Sequence, residues 1–217
     1  MKNKLLITMC AVLFSGAAMA DGARVNLGEF SKGSLDGWES KVFAGTTQYQ
    51  IEQQGDKKVL KANSSKTASI MGRRMRIDLA KTPFLNWSWK IDKALPPLQE
   101  ATRAGDDYAA RVYVIIDGGV FIWKTRALNY VWSSAANSRG TKWNNAFKPK
   151  NARMLAVRDK RDAAGRWTYQ KQDVAADFKT LYGFQPRFID GIAIMTDTDN
   201  SGGIASASYG DIFFSEK

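Results

Sequence analysis

Apolar and β-branched residues alternate with polar ones over most of the chain, and clusters of Gly, Asn, Asp and Ser interrupt them at short intervals. A period of two sends successive side chains to opposite faces of a strand, so the pattern predicts an all-β chain of short antiparallel strands. Strands are expected at Val25–Phe30, Trp38–Phe43, Tyr49–Gln53, Lys58–Ala62, Met75–Leu79, Phe84–Ile91, Tyr108–Asp117, Val120–Thr125, Asn129–Ser133, Met154–Arg158, Trp167–Gln172, Gly191–Thr196 and Ser206–Phe214. One helix is expected, capped by Asp173 and closed by Gly183, with Phe178, Leu181 and Tyr182 on one face. These elements suit an antiparallel, jelly-roll-like β-sandwich with one short helix.

The alternation also assigns faces. In "FLNWSWKI", Leu85, Trp87, Trp89 and Ile91 share one side, and Asn86, Ser88 and Lys90 the other. In "YAARVYVIID", the apolar side is Tyr108, Ala110, Val112, Val114 and Ile116, against Arg111, Tyr113, Ile115 and Asp117. Gly191, Ala193, Ala205 and Ala207 leave space for a bulky ligand. The expected binding surface is one concave, cationic and partly aromatic sheet face made by Lys90, Arg111, Tyr113, Lys124, Arg126, Tyr130 and Trp132. Its cations would give charge-assisted hydrogen bonds, and its rings would stack on sugar faces.

The first residues change the picture. Lys2 and Lys4 precede an apolar stretch that ends in Ala18, Met19 and Ala20, the build of a secretory signal peptide cleaved after Ala20. The stretch is too short for a membrane span, and Met9 before Cys10 does not fit a lipoprotein signal. Residues 21–217 are then one β-sandwich domain, periplasmic or secreted, without disulfides because Cys10 is the single cysteine. The chain contains no histidine, which excludes Ser-His triads, Cys-His pairs and His-bearing zinc sites. A formal net charge of +11 favours anionic partners. In an exported protein these are an anionic polysaccharide or envelope glycan rather than nucleic acid. The basic run Lys148–Lys171 reads mostly as a solvated hairpin with Asp159 and Asp162 as local partners.

Two acidic stretches are candidates for a structural calcium ion. In "DTDNSGG", Asp197, Asp199 and Ser201 stand at the first, third and fifth places of a calcium loop and Gly202 at the sixth. The twelfth place holds Ser208 instead of an acid, so the stretch is also read as a strand-connecting turn. Glu29 in "LGEF" and Asp211 in "YGDIFF" fall on the first and last expected strands, and these stretches resemble jelly-roll carbohydrate-binding modules that hold calcium between acids there. Adjacent pairs such as Asp106 and Asp107 are poor catalytic pairs, because two acids that cleave a glycoside must flank the bond.

At "DDYAARVYVIID", "WKTRALNYVWSS" and "IAIMTDTDNSGGIASASYGDIFF" the chain resembles a family of exported bacterial proteins catalogued as domain of unknown function 3047. The resemblance implies one β-sandwich of envelope origin and brings no catalytic residues with it. The leading expectation is a binding module for an anionic or polyhydroxylated ligand, a glycan foremost. The rivals are a carbohydrate-active enzyme, either hydrolase or lyase, and an envelope protein-interaction factor.

Overall fold

The computed structural model describes residues 22–120, 124–136 and 138–217. Thirteen strands are present: β1 (Arg24–Gly28), β2 (Trp38–Ala44), β3 (Gln48–Gln54), β4 (Lys57–Ser65), β5 (Ala68–Asp78), β6 (Phe84–Lys93), β7 (Arg111–Ile116), β8 (Arg126–Trp132), β9 (Lys142–Asn144), β10 (Ala152–Arg158), β11 (Thr168–Asp173), β12 (Phe188–Met195) and β13 (Ile204–Ser215). Helix α1 (Val174–Tyr182) lies between β11 and β12. Its Asp173 side chain accepts the Ala176 N–H at 2.9 Å, and Gly183 ends it in the left-handed conformation, φ 79°.

The strands form two sheets. One runs β11-β6-β13-β4-β3, with β1 beside the second half of β13. The other runs β2-β5-β12-β7-β8-β10-β9. Every pairing is antiparallel except that of β8 with β10, which is parallel. The architecture is therefore an all-β, jelly-roll-like sandwich carrying one short helix.

Both sheets supply one apolar core. Leu85, Trp87, Trp89 and Ile91 enter it from β6, as alternation requires, and Val112, Val114, Leu128, Ile192 and Ile194 meet them from the seven-stranded sheet. Trp87 and Trp89 pack edge to face, 5.3 Å between ring centroids. Phe178 closes the core from α1.

Several sequence expectations need correction. β1 ends at Gly28, and Glu29 instead precedes a 3₁₀ turn at Phe30–Lys32. The strand expected over 120–125 falls partly on 121–123, outside the described residues, as do the leader 1–20 and Trp123; Val120 itself lies in a turn and β8 begins at Arg126. Tyr108 lies ahead of β7 and packs with Val131, Met154 and Ala156 in a second, smaller cluster rather than with Ala110 and Val112. Ala205 and Ala207 face the core. Short β9 was not foreseen, since its sequence Lys-Trp-Asn shows no run of alternation.

Candidate functional site

The outer face of the seven-stranded sheet carries the candidate site. Cross-strand neighbours share a face, so the pairings Met195–Arg111, Ala193–Tyr113, Tyr113–Asn129 and Asn129–Met154 define a row running from β12 through β7 and β8 to β10. A groove of about 900 Å³ crosses this face. Residues of β2, β5, β12, β7, β8 and β10 line it, among them Phe43, Ala68, Met195, Tyr113, Asn129 and Ala152, and the loop after β9 completes it with Asn145, Phe147 and Lys148.

Arg111 is the centre of the groove floor. It is 4% exposed. Its Nη2 donates to Asp197 Oδ2 in a close ion pair and lies 3.2 Å from Met195 Sδ. Its Nη1 lies 3.8 Å from Asp106 Oδ1. The guanidinium sits 4.7 Å from the Tyr108 ring centroid and 5.1 Å from that of Tyr113, so two aromatic rings help to fix its plane. The Tyr113 hydroxyl donates to Met195 Sδ at 3.2 Å, holding that ring beside the cation.

Loops position the acids. Asp106 Oδ2 accepts from Asn145 Nδ2 at 2.7 Å, and Asn145 Oδ1 in turn accepts the N–H groups of Phe147 and Lys148. Asp107 accepts the backbone N–H groups of Asn200, at 3.2 Å, and Ser201, at 2.6 Å. This ties the loop before β7 to the turn between β12 and β13. Asp197 Oδ1 accepts the Tyr108 N–H at 3.3 Å. Four carboxyl groups thus gather around one guanidinium. Burial, reinforced by Asp107, Asp106 and Asp199, raises the Asp197 carboxyl to about 8 against the pull of Arg111. Burial raises Asp106 and Asp199 as well. Asp197, Asp106 and Asp199 interact closely, so their titration belongs to the coupled group rather than to any one carboxyl.

Asp107, Asp197 and Asp199 each place a carboxylate oxygen within 4.8 Å of the others, a spacing that suits a divalent cation. Protein donors already engage the cluster: Arg111 holds Asp197, and the turn amides hold both oxygens of Asp107. Asp107 was missed in the sequence because its partners lie more than ninety residues away. The stretch Asp197–Gly203 is a connection between β12 and β13, with Gly202 at φ 68°. At the other candidate calcium position, β1 does pair with β13, yet Glu29 is bound by Lys32 at 2.6 Å, and Asp211 accepts the Ser31 N–H and Oγ–H at 2.8 and 2.6 Å. Among the described residues, the structure gives these two acids local partners and does not bring a third acid to them.

The structure separates the residues expected on one cationic face. Arg111 and Tyr113 are in the groove. Lys90 is on β6 of the other sheet, bound to Asp92 at 2.9 Å and Gln54 at 2.9 Å. Tyr130 and Trp132 are buried between the sheets, Tyr130 against Trp87 with its hydroxyl on Asp177, and Trp132 against Trp89. Arg126 shares their phase on β8 and so does not point into the groove, while Lys124 is exposed in the turn before that strand. Of the basic run, Arg161 pairs with Asp159 and Arg158 with Asp162, the local partners expected for a solvated hairpin.

Three polar atoms complete the groove. Arg111 Nε, Asp106 Oδ1 and Asn129 Oδ1 are buried and make no hydrogen bond to any described residue. Asn129 is held by its amide, which donates to the carbonyls of Ala127, at 3.3 Å, and Arg153, at 3.1 Å. A buried polar atom without a partner costs free energy, so such atoms are uncommon unless something else satisfies them. Here one donor and two acceptors belong to residues that line the same groove.

The family model for proteins of unknown function DUF3047 matches residues 36–213. The chain belongs to that family. No curated protein matches this DUF3047 member by sequence. Its fold is similar to the family 11 carbohydrate-binding module of Clostridium thermocellum, solved with a β-1,3-1,4-mixed-linked tetrasaccharide, at 11% identity over 90% of this chain and 96% of that one, TM-score 0.45. It is similar to the family 30 carbohydrate-binding module of a cellulosomal cellulase from the same organism, at 10% identity over 91% and 95%, TM-score 0.47. It is also similar to the Endo-D glycoside hydrolase domain of Streptococcus pneumoniae, at 10% identity, TM-score 0.42, covering 83% of this chain and 22% of that longer one.

Proposed function

We propose that this DUF3047 protein is a binding module for a polyhydroxylated ligand, a glycan, laid on the outer face of the seven-stranded sheet. The observation that carries the proposal is the set of buried atoms Arg111 Nε, Asp106 Oδ1 and Asn129 Oδ1, each without a hydrogen bond, in residues that line one groove. Sugar hydroxyls both donate and accept, so one ligand class meets all three. Tyr113, half-buried beside them, offers a ring for a sugar face. The charged lining is Asp106, Asp197 and Asp199 against Arg111 and Lys148, which favours a neutral glycan over an anionic one at this floor. Export, inferred from residues 1–20, accompanies the reading and is tested by the N-terminus of protein recovered from the culture.

The test is calorimetric titration against soluble neutral and uronate-containing glycans. Saturable binding is expected, weakened about fivefold in Asn129→Ala, where one hydrogen bond is worth roughly 1 kcal/mol. Absence of binding across the panel, with the protein folded, would overturn the proposal. The enzyme alternative has one favourable observation, the buried Asp197 carboxyl raised well above the ordinary carboxylate range among neighbouring acids. Against it, Arg111 pairs with both Asp197 and Asp106 and fixes them in the floor. Appearance of new reducing ends during prolonged incubation would decide for the enzyme.

A further inference from the structure

Resting on the glycan reading, we infer that the groove takes an internal stretch of an extended, unbranched neutral polysaccharide rather than a chain end or a single sugar. The lining residues come from Phe43 on the edge strand β2 across to Ala152 on β10 and Phe147 in the loop that joins β9 to β10. Neighbouring strands lie about 4.8 Å apart, so a groove that crosses the six strands from β2 to β10 is about 24 Å long, room for several sugar rings in line. A site for a chain end is closed on one side. This one starts at the edge strand β2 with Phe43 and reaches the β9–β10 loop with Phe147, rings that are 60% and 43% exposed.

Between those rings lies Tyr113 on β7, the middle strand of the sheet. Three rings, at the two ends and the centre, form successive stacking platforms for a chain that runs across the strands. The partnerless polar atoms lie on the central strands: Arg111 on β7, Asn129 on β8, and Asp106 in the loop that leads into β7. Polar recognition is thus concentrated at the middle, and stacking continues to both ends. Phe43 also lines an adjoining groove of about 880 Å³, whose floor holds the small residues Gly72, Gly191 and Ala193 between long side chains such as Lys41, Arg74 and Arg76. The small residues Gly191 and Ala193 therefore extend the open face on the β2 side.

The experiment is calorimetric titration of the full chain with cello-, manno- and xylo-oligosaccharide ladders of two to six residues, using wild type, Phe43→Ala and Phe147→Ala. Both replaced rings are exposed, so the variants keep the fold, which circular dichroism checks. In wild type the affinity for one ladder is expected to rise at least tenfold from the disaccharide to the hexasaccharide. Each variant should lose several-fold on the hexasaccharide and nothing on the disaccharide. An affinity that is already full at two residues and indifferent to both substitutions would overturn the extended-chain inference while leaving the glycan reading standing. No binding to any ladder or to the wider glycan panel would overturn both.

Discussion

Replacing Asp197 by Asn tests whether the acid cluster retains a proton. The Asp197 carboxyl stands at about 8 in the folded chain against an ordinary value of 3.8, with burial the main cause. An acid whose value is raised by folding binds its proton more tightly in the native state than in the unfolded one. Its contribution to stability is complete below about pH 4 and is lost as pH climbs towards 8. One proton retained by the native state corresponds to a slope of about 1.4 kcal/mol per pH unit. Asn keeps the shape, accepts the Tyr108 N–H, and does not titrate. The stability difference should therefore move in favour of Asp197→Asn by up to about 1.4 kcal/mol for each pH unit between about 5 and 8, and level off above. Sharing of the proton with Asp106 and Asp199 makes the slope shallower without changing its sign. Urea unfolding followed by tryptophan fluorescence, for both proteins in parallel at unit steps of pH, measures it. A difference that stays flat would mean that Asp197 is ionised with Arg111 throughout. A difference that moves towards wild type as pH rises would mean that the guanidinium outweighs burial. Either result refutes the reasoning.

Arg111→Met should lower stability by about 3–5 kcal/mol, because it leaves buried acids without their cation. If the Asp107, Asp197 and Asp199 cluster takes calcium, as we propose from the mutual spacing of its carboxylates, added calcium should raise the unfolding midpoint of this variant more than that of wild type after chelator treatment; no rise in either discards the cation site. Gly105→Ala would place a Cβ 2.5 Å from the Gln99 carbonyl oxygen, a backbone atom that cannot swing aside, and should cost about 1–3 kcal/mol in chemical unfolding. Asp173→Ala removes the cap on the Ala176 N–H and should cost about 1 kcal/mol by the same measurement.

The sandwich was legible because its local signals agree. Leu85, Trp87, Trp89 and Ile91 alternate cleanly with polar residues, and all four are core; Asp173 and Gly183 bound the helix where the cap rules place it. The site was legible only in part. Alternation assigns a residue to a face of its own strand and is silent on which sheet that strand joins, which is why Lys90 was grouped with Arg111 across the sandwich. On β8, "ALNYVW" is apolar on both sides, so its phase is poorly marked; Asn129 is the one polar residue there, and it faces the groove while Tyr130 and Trp132 turn inward. The ring of acids around Arg111 depends on contacts such as Asp107 with Ser201, which no spacing along the chain reveals.

Strand β13 follows every other strand in the chain and yet pairs on one side with β6 and on the other with β4 and then β1. The six-stranded sheet therefore has no centre until Ile204–Ser215 is available, and β4 and β6 can zip together only through it. Contacts of such long sequence separation make for slow closure. During synthesis the seven-stranded sheet has all its strands through β12 while its partner layer still has open ladders, so the sandwich closes as a late step, and the same segment that completes the core also draws β1 against it.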